Sequence, residues 1–210
     1  VRSSAASDVY KRQRYACTVT HVQRKNTVFV TEMTKDLKCN CRIFMDIFPF
    51  DNVPESESEQ NKLLRKSTLY GKLLFLSGSG SPHIPYTGLL YHILHLGCQI
   101  IHYGLKLFHI TPSFLYKKFK KVSTSFNDVD CKYVTSYEYT GCLKDKVKKA
   151  DLLPLVKVPF EDITAYIPAN NDEFLKKVYG NYMEIPPVEK RVNHAPLVIQ
   201  FEGEDPIYGE

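Results

Sequence analysis

The sequence predicts an α+β protein, because strand-like and helix-like patterns both occur and occupy separate parts of the chain. Short strand-like segments lie on both sides of a long central stretch in which apolar residues recur at helical spacing. With 210 residues, a hydrophobic fraction of 43% and a charged fraction of 24%, the chain can bury a real core. This composition excludes wholesale disorder.

The first residues are expected to stand outside the fold. Residues 1–13 are polar, show no helix or strand period, and lack the apolar core of a secretory signal. We interpret them as a non-native leader and expect a genuine N-terminal part to be missing. The single domain is then expected at residues 14–202, followed by an acidic, frayed tail at residues 203–210.

The N-terminal part of this domain predicts strands. Arg14–Thr31 alternates enough for two short strands with Asn26 in the turn between them. Arg42–Phe48 is the clearest strand, and after Arg42 it is apolar except at Asp46. A buried, unpaired carboxylate is costly, so Asp46 either hydrogen-bonds a loop or reaches a metal ion. The pattern leaves both interpretations open.

A turn and a helix are predicted next. Phe50–Pro54 has the composition of a turn, and the acidic residues that follow suit a helix N-terminus, so a helix is expected over Glu57–Phe75. Ser77–Pro82 is predicted to be a flexible loop. A helical insertion is expected over about residues 77–125.

Tyr86–Ile110 is predicted to be a helix with one polar stripe on an apolar body. Three interpretations remain open: a mostly buried helix with one wet face, a helix in the membrane interface or against a partner, and a metal site. The basic run Lys117–Lys121 supports the second, and the polar interruptions argue against a transmembrane span. The candidate metal ligands are His92, His95 and His102. The whole stripe consists of His92, His95, Gln99, His102, Lys106 and His109.

The C-terminal third again mixes both patterns. Tyr133–Tyr139 and Leu155–Phe160 are strand-like, and the intervening Lys144–Lys149 is most simply a solvated surface. Asn170 is placed to cap a short helix that ends at Gly180.

Charge and cysteine content leave several classes of partner open. The net charge of +5 suits a nucleotide, a phosphorylated glycan or a lipid headgroup, and an ordinary basic surface explains it equally well. The six cysteines are too scattered for a disulfide framework, so reduced thiols in a cytoplasmic protein are expected. Aromatic residues are not interleaved with Arg, so nucleic acid is not a predicted partner.

Two separated motifs resemble one family. Phe44–Asp51 (FMDIFPFD) is similar to the "IDIFPLD" strand and turn of LicD-type phosphotransferases. Ile167–His194 (IPANNDEFLKKVYGNYMEIPPVEKRVNH) is similar to the ending of the same family. The resemblance runs from Arg14 to His194 and is weakest across residues 77–125.

The resemblance implies a partial nucleotidyltransferase-like mixed sheet with a helical insertion and a C-terminal helix-turn block. It also implies an enzyme that moves phosphorylcholine, or a related phospho-alcohol, from a CDP-activated donor to a cell-surface glycan. That glycan would be a lipopolysaccharide, a teichoic acid or a glycoprotein sugar. From the residues themselves rather than from the resemblance, the expected location is the cytoplasm or the inner face of the membrane, with peripheral contact through residues 86–121.

Asp46 matches the third acid of the family, which implies a catalytic role and binding of Mg²⁺ or Mn²⁺. Clustered carboxylates hold such ions, which neutralise the phosphate oxygens during transfer. The family's glycine turn and acidic pair have no match between Val1 and Thr31. We therefore expect this chain alone to be inactive. The rival is a non-catalytic glycan- or membrane-associated module of the same fold.

Further site residues are expected near the C-terminus. Lys190 and Arg191 are candidates to clamp the diphosphate of a CDP-choline-like donor, although ion pairs that fix the turn explain the same polar cluster. A pocket for a cationic headgroup is a second expectation, although its tyrosines suit a core equally well. The donor cluster is Glu189, Lys190, Arg191 and His194, and the headgroup pocket is Glu161, Tyr179 and Tyr182.

Overall fold

The computed structural model describes residues 17–32, 34–35, 41–82, 84–139, 141–191 and 196–209, with Lys190 described by its backbone alone. The predicted α+β class is confirmed, since helices and small antiparallel sheets are both present. The chain divides into two compact units. The first unit comprises Val1–Phe48, Leu69–Phe119 and Val192–Glu210, and the second comprises Pro49–Thr68 and Lys120–Arg191.

The described strands and helices have the following bounds. The strands are β1 Thr20–Gln23, β2 Val28–Thr31, β3 Phe44–Ile47, β4 Asp51–Val53, β5 Tyr133–Thr135, β6 Val147–Lys148, β7 Leu155–Phe160, β8 Ile163–Pro168, β9 Pro196–Gln200 and β10 Ile207–Tyr208. The helices are α1 Glu57–Gly78, α2 Gly88–Leu107, α3 Pro112–Ser123, α4 Lys149–Leu152 and α5 Asn171–Tyr179, with a 3-10 helix at Val188–Lys190.

The first unit contains two small antiparallel sheets. β1 pairs with β3, while β9 lies between β2 and β10. Two N-terminal strands with a turn at Asn26, whose φ is 56°, were predicted and are present, but the first begins only at Thr20, later than the alternation over residues 15–20 indicated. The two strands do not pair with each other. The expectation of a frayed tail was wrong, because Ile207 and Tyr208 pair with β9.

The core of the helical part of the first unit is formed by Leu74, Leu76, Leu105 and Leu115. α2 contributes buried Leu105 and His102, and His102 Nδ1 donates a hydrogen bond of 2.6 Å to the carbonyl oxygen of Leu76. The interpretation of α2 as a mostly buried helix with one wet face was wrong, because part of its polar stripe packs inward and its apolar face is exposed. None of the described helices is long and apolar enough to cross a membrane.

The second unit contains the sheet β4-β5-β6 and the hairpin β7-β8. Asp51–Val53, predicted to be a turn, is the buried strand β4. The prediction of a turn was wrong because contacts with a distant part of the chain hold this segment extended. The Asn52 side chain donates to the carbonyl oxygens of Phe126 and Val129, at 3.1 and 2.8 Å, and so holds β4 in place through a distant loop. Turn-forming residue types therefore sit in a strand.

Local signals set the C-terminal elements of the second unit. Glu161, with φ 51°, lies in the two-residue turn between β7 and β8. α5 begins after Asn170 and ends before Gly180, whose φ of 69° is a backbone conformation that glycine tolerates best. The positions of both ends agree with the sequence prediction, but the Asn170 side chain does not cap the helix and donates to Asp151 instead.

Candidate functional site

A cavity of about 330 Å³ lies within the second unit. Its volume is at the lower end of the range of small-molecule sites, roughly 300–1,000 Å³. Four lysines and two acids surround it, together with one tyrosine and one phenylalanine. The lining residues are Tyr133, Lys144, Lys146, Val147, Lys148, Asp151, Glu173, Phe174 and Lys177.

Strand geometry places the lysines of one wall. Val147 is buried and pairs with Val134 of β5, so its neighbours Lys146 and Lys148 project to the opposite side. Lys146 Nζ lies 5.3 Å from the centre of the Tyr133 ring and donates to Gln60 Oε1 at 3.1 Å. These contacts hold Lys146 in one position beside the cavity.

α5 supplies the other wall. Glu173 and Lys177 are one turn apart on this helix, and Phe174 lies between them. The Phe174 ring meets the Phe50 ring edge-on, with 6.2 Å between their centres. The Asp151 carboxylate accepts a hydrogen bond of 3.2 Å from the Asn170 side chain, which ties α4 to the start of α5.

The cavity carries a positive balance. Among the described residues, no carboxylate lies within ion-pair distance of its four lysines. By contrast, the nearby Lys176 pairs with Asp172 at 2.6 Å, which lowers the pKa of that carboxyl group. Lysines without carboxylate partners around a concave surface favour an anionic ligand such as a phosphate or diphosphate.

The sequence interpretation of Lys144–Lys149 as a solvated surface missed this cavity. A signal was present, since Lys144, Lys146 and Lys148 alternate with period two and therefore share one side of an extended segment. The alternation alone does not reveal the second wall, because α5 comes from a later part of the chain.

A buried polar cluster lies elsewhere in the second unit. Asp51 is 4% exposed, and its Oδ1 accepts a hydrogen bond of 2.8 Å from the Asn127 side chain. Among the described residues, its Oδ2 has no hydrogen-bond partner. Burial raises the pKa of the nearby Glu138 carboxyl group, which accepts a hydrogen bond from the Ser136 hydroxyl. This cluster was not predicted from the sequence, because a turn was expected at Asp51, where the structure has a buried strand.

Asp46 lies in the first unit, on β3, directly opposite His21 of β1. His21 Nδ1 donates to Asp46 Oδ1 at 2.5 Å, and the other ring nitrogen, Nε2, lies 3.1 Å from Cys17 Sγ. The Asp46 side chain is 31% exposed, so it is held by a cross-strand partner and is still reachable from solvent.

The side chains of Cys17, His21 and Asp46 contact one another in the order of a nucleophile, a base and an orienting acid. Burial raises the pKa of the Cys17 thiol to about 11, so the protonated thiol dominates at neutral pH. A thiolate nucleophile is therefore disfavoured. The arrangement instead orients the imidazole, whose Nδ1 proton is held by Asp46.

The same three residues do not converge on a metal ion, because Cys17 and Asp46 contact opposite nitrogens of the His21 ring. In the described parts of the chain, no group of three or more His, Cys, Asp or Glu residues is placed to hold a metal ion. Asp46 thus offers one acidic ligand for the Mg²⁺ or Mn²⁺ that the resemblance implies, and the described residues alone do not complete that site.

The histidines of the polar stripe have other contacts. His102 donates to the Leu76 carbonyl, and His95 Nε2 lies 3.3 Å from the Ser81 hydroxyl oxygen. The His92 ring meets the Tyr91 ring edge-on. His92, His95 and His102 therefore have separate partners within the protein, and their positions are explained without a shared metal ion.

The remaining predicted site residues that are described belong to the second unit and do not line its cavity. Tyr182 donates to Asp172 Oδ1 at 2.9 Å, and Tyr179 is 70% exposed. Glu161 occupies the hairpin turn. The Arg191 Nε donates to the Pro186 carbonyl oxygen at 2.8 Å, which stabilises the turn after the Pro-Pro step.

The other three members of the predicted donor cluster are Glu189, Lys190 and His194. Glu189 is exposed in the 3-10 helix. The side chain of Lys190 and the whole of His194 lie outside the described residues. The predicted clamp by Lys190 and Arg191 therefore stays a prediction.

The chain matches no protein-family model, no curated protein and no solved structure. The site geometry and the two motifs that resemble the LicD family are therefore the features that bear on function.

Proposed function

We propose that the protein is a LicD-type phosphotransferase and that the lysine-lined cavity of its second unit binds the nucleotide-activated donor. The enzyme would transfer phosphorylcholine, or a related phospho-alcohol, from a CDP-activated donor to a hydroxyl group of a cell-surface glycan, with CMP as the leaving group. The observation that carries the proposal is the position of Phe174, which lines the cavity and also contacts Phe50.

Phe50 and Phe174 belong to the two motifs that resemble the family. Phe50 lies in Phe44–Asp51 and Phe174 lies in Ile167–His194, far apart in the sequence. Their rings are nevertheless in contact in the second unit. Two motifs that belong to one binding site are expected to meet in space, and here Phe50 of the first motif contacts Phe174 of the second, which lines the cavity.

The chemistry of the lining suits a donor that carries both signs of charge. Lysine ammonium groups are point charges that bind diphosphate oxygens without requiring one fixed geometry. Glu173 and Asp151 supply negative charge, and the Phe174 ring supplies an aromatic face for a quaternary ammonium group. CDP-choline presents a diphosphate and a quaternary ammonium, so it matches the lining in both respects.

The resemblance of Phe44–Asp51 to the family is the basis for proposing Asp46 as a catalytic acid. Its hydrogen bond from His21 fixes the orientation of the carboxylate. Because the described residues supply only this acid toward a metal ion, we derive no metal-dependent step from them.

Calorimetric titration of CDP-choline into the purified chain tests the donor site. The double variant Lys144→Glu, Lys148→Glu is expected to weaken binding by about tenfold or more, because it reverses two charges at the cavity. Lys157→Glu is the matched control, since Lys157 is an exposed lysine of the second unit outside the cavity. Equal affinities in all three proteins would show that the cavity is not the donor site.

Transfer activity is tested with the protein expressed from its full coding sequence, using CDP-choline and a lipopolysaccharide or teichoic acid acceptor. Asp46→Asn is expected to lower the transfer rate by about 100-fold or more while the fold is retained. Asp162→Asn, in the exposed hairpin turn, is the control. Donor binding without any transfer in the wild-type protein would favour the alternative, a non-catalytic glycan- or membrane-associated module.

A further inference from the structure

The outer face of α2 is an apolar stripe that runs the length of the helix. Its members follow one another at spacings of four and three residues, which places them on one side of an α-helix. They are exposed throughout, with Leu89 at 76%, Ile100 at 63% and Leu107 at 73%. We call these residues the α2 stripe: Leu89, Ile93, Leu96, Ile100, Tyr103 and Leu107.

The opposite face of α2 explains why the stripe points outward. Leu105 packs in the core cluster with Leu74, Leu76 and Leu115, and His102 is bonded to the Leu76 carbonyl. These contacts fix the rotation of the helix, so the stripe cannot turn inward without breaking them. Single exposed apolar residues are ordinary, but a continuous exposed row indicates a surface that meets an apolar partner.

The charge of the surrounding sequence indicates what kind of partner this is. From Gln60 to Asn127 the chain contains no Asp or Glu. The whole chain has a net charge of +5, so the remainder is acidic on balance. The cationic residues of this acid-free segment are Lys62, Arg65, Lys66, Lys72, Lys106, Lys117, Lys118, Lys120 and Lys121.

Some of these lysines lie directly beside exposed aromatic rings. Lys106 Nζ is 5.7 Å from the centre of the Tyr103 ring, within the α2 stripe. Lys118 Nζ is 5.3 Å from the Phe114 ring of α3, and Phe114 is 50% exposed. A lysine whose stem follows an apolar surface can keep its ammonium group among phosphates while its neighbours enter an apolar layer.

We propose that α2 and the adjoining part of α3 form a docking surface for an anionic lipid bilayer. The α2 stripe would lie in the interface, buried about 5–10 Å into the boundary between headgroups and acyl chains. Lys106, Lys117 and Lys118 would meet the lipid phosphates, each adding to the attraction. This inference does not depend on the proposed function, because it concerns residues outside the cavity of the second unit.

The charges argue against the two other occupants of such a face. A second copy would bring another acid-free, cationic segment against the first, and like charges repel. A nucleic acid would satisfy the lysines but leave the α2 stripe without an apolar partner. An anionic bilayer satisfies both features at once.

A tryptophan probe gives the first test, because the chain contains no Trp. Ile100→Trp places a single fluorophore in the α2 stripe. Its emission is expected to shift to shorter wavelength with vesicles containing about one-third phosphatidylglycerol and to stay unchanged with pure phosphatidylcholine. Met183→Trp, at a 79% exposed position of the second unit, is the control and is expected to show no shift with either.

Vesicle flotation separates the apolar and electrostatic contributions. Ile93→Glu, Ile100→Glu is expected to abolish binding, whereas Ile185→Glu, at a 76% exposed position outside the stripe, should bind as the wild type does. Lys117→Glu, Lys118→Glu is expected to reduce the bound fraction about tenfold and to weaken its dependence on salt. Circular dichroism of each variant verifies that the helices are retained.

The proposal fails if the wild-type chain does not float with anionic vesicles, or if Ile93→Glu, Ile100→Glu floats as well as the wild type. It also fails if sedimentation shows a dimer that this variant dissociates and that does not bind vesicles, since a second copy would then cover the stripe. Equal binding to neutral and anionic vesicles would overturn the role assigned to the lysines.

Discussion

The two units depart from the usual arrangement of apolar interior and polar surface in opposite directions. The first unit leaves the α2 stripe exposed, while the second buries Asp51, Asn52, Thr135 and Ser136. Exposed apolar area is tolerated by a folded chain and is released from water when a partner covers it, at about 25 cal/mol per Å². Buried polar groups must instead find hydrogen bonds within the protein. The first departure is therefore the basis for the proposed lipid partner, whereas the second is satisfied by hydrogen bonds inside the protein.

The buried cluster of the second unit meets this requirement almost completely. The Asn52 amide and the Thr135 hydroxyl both donate to backbone carbonyl oxygens. Asp51 Oδ2 is the exception among the described residues. A buried acceptor without a partner costs about 1–3 kcal/mol, so the surrounding bonds must hold this carboxylate in place.

The largest expected effect contrasts the two faces of α2. Leu105→Ala is expected to lower the free energy of unfolding by about 2–5 kcal/mol, because it removes a buried side chain from the core cluster. Ile100→Ala, one and a half turns away on the exposed stripe, is expected to change it by about 0.5 kcal/mol or less. Urea denaturation followed by circular dichroism measures both. Similar losses in the two variants would mean that the stripe is buried in solution.

A smaller effect is expected in the second unit. Asn52→Ala is expected to lower the free energy of unfolding by about 1–3 kcal/mol, because the carbonyl oxygens of Phe126 and Val129 lose their donor. Asn181→Ala, at an exposed position, is the control. Urea midpoints of the two variants provide the comparison, and equal midpoints would contradict the role given to Asn52.

The smallest effect appears only in alkali. Burial raises the pKa of the thiols of Cys17 and Cys142 from 9.0 to about 11 in each case. Their contribution to stability is complete below about pH 9, where the unfolded thiols are still protonated, and it is lost as pH rises toward 11. Iodoacetamide labelling read by mass spectrometry should therefore be slow at both residues at pH 8 and increase above pH 10. Rapid labelling of Cys17 at pH 8 would mean that its thiol is not buried.

Local sequence signals predicted the elements that depend on neighbouring residues. The strand at Leu155–Phe160 follows from alternation, and the end of the helix at Gly180 follows from a glycine stop. α1 extends three residues beyond its predicted end. The pairing of β1 with β3 and the identity of β4 were not predictable in the same way, because they depend on partners far along the chain.

The sites were less predictable than the fold. The helical period of α2 was correctly recognised, but its orientation depends on the Leu76 carbonyl, which satisfies His102 from another helix. The sequence pattern therefore placed the whole polar stripe on the solvent-exposed side of the helix, although His102 is buried. The lysine-lined cavity requires α5 as its second wall. The pattern within Lys144–Lys149 does not predict that this later helix packs beside it.

The absence of acidic residues between Glu59 and Asp128 also determines where proteases can cut. An enzyme specific for Asp and Glu has no cleavage site from Gln60 to Asn127, so complete digestion releases this whole segment as one peptide. The peptide contains α2, α3 and most of α1. After digestion of the protein on vesicles, its mass alone would identify the part of the chain that stays with the lipid.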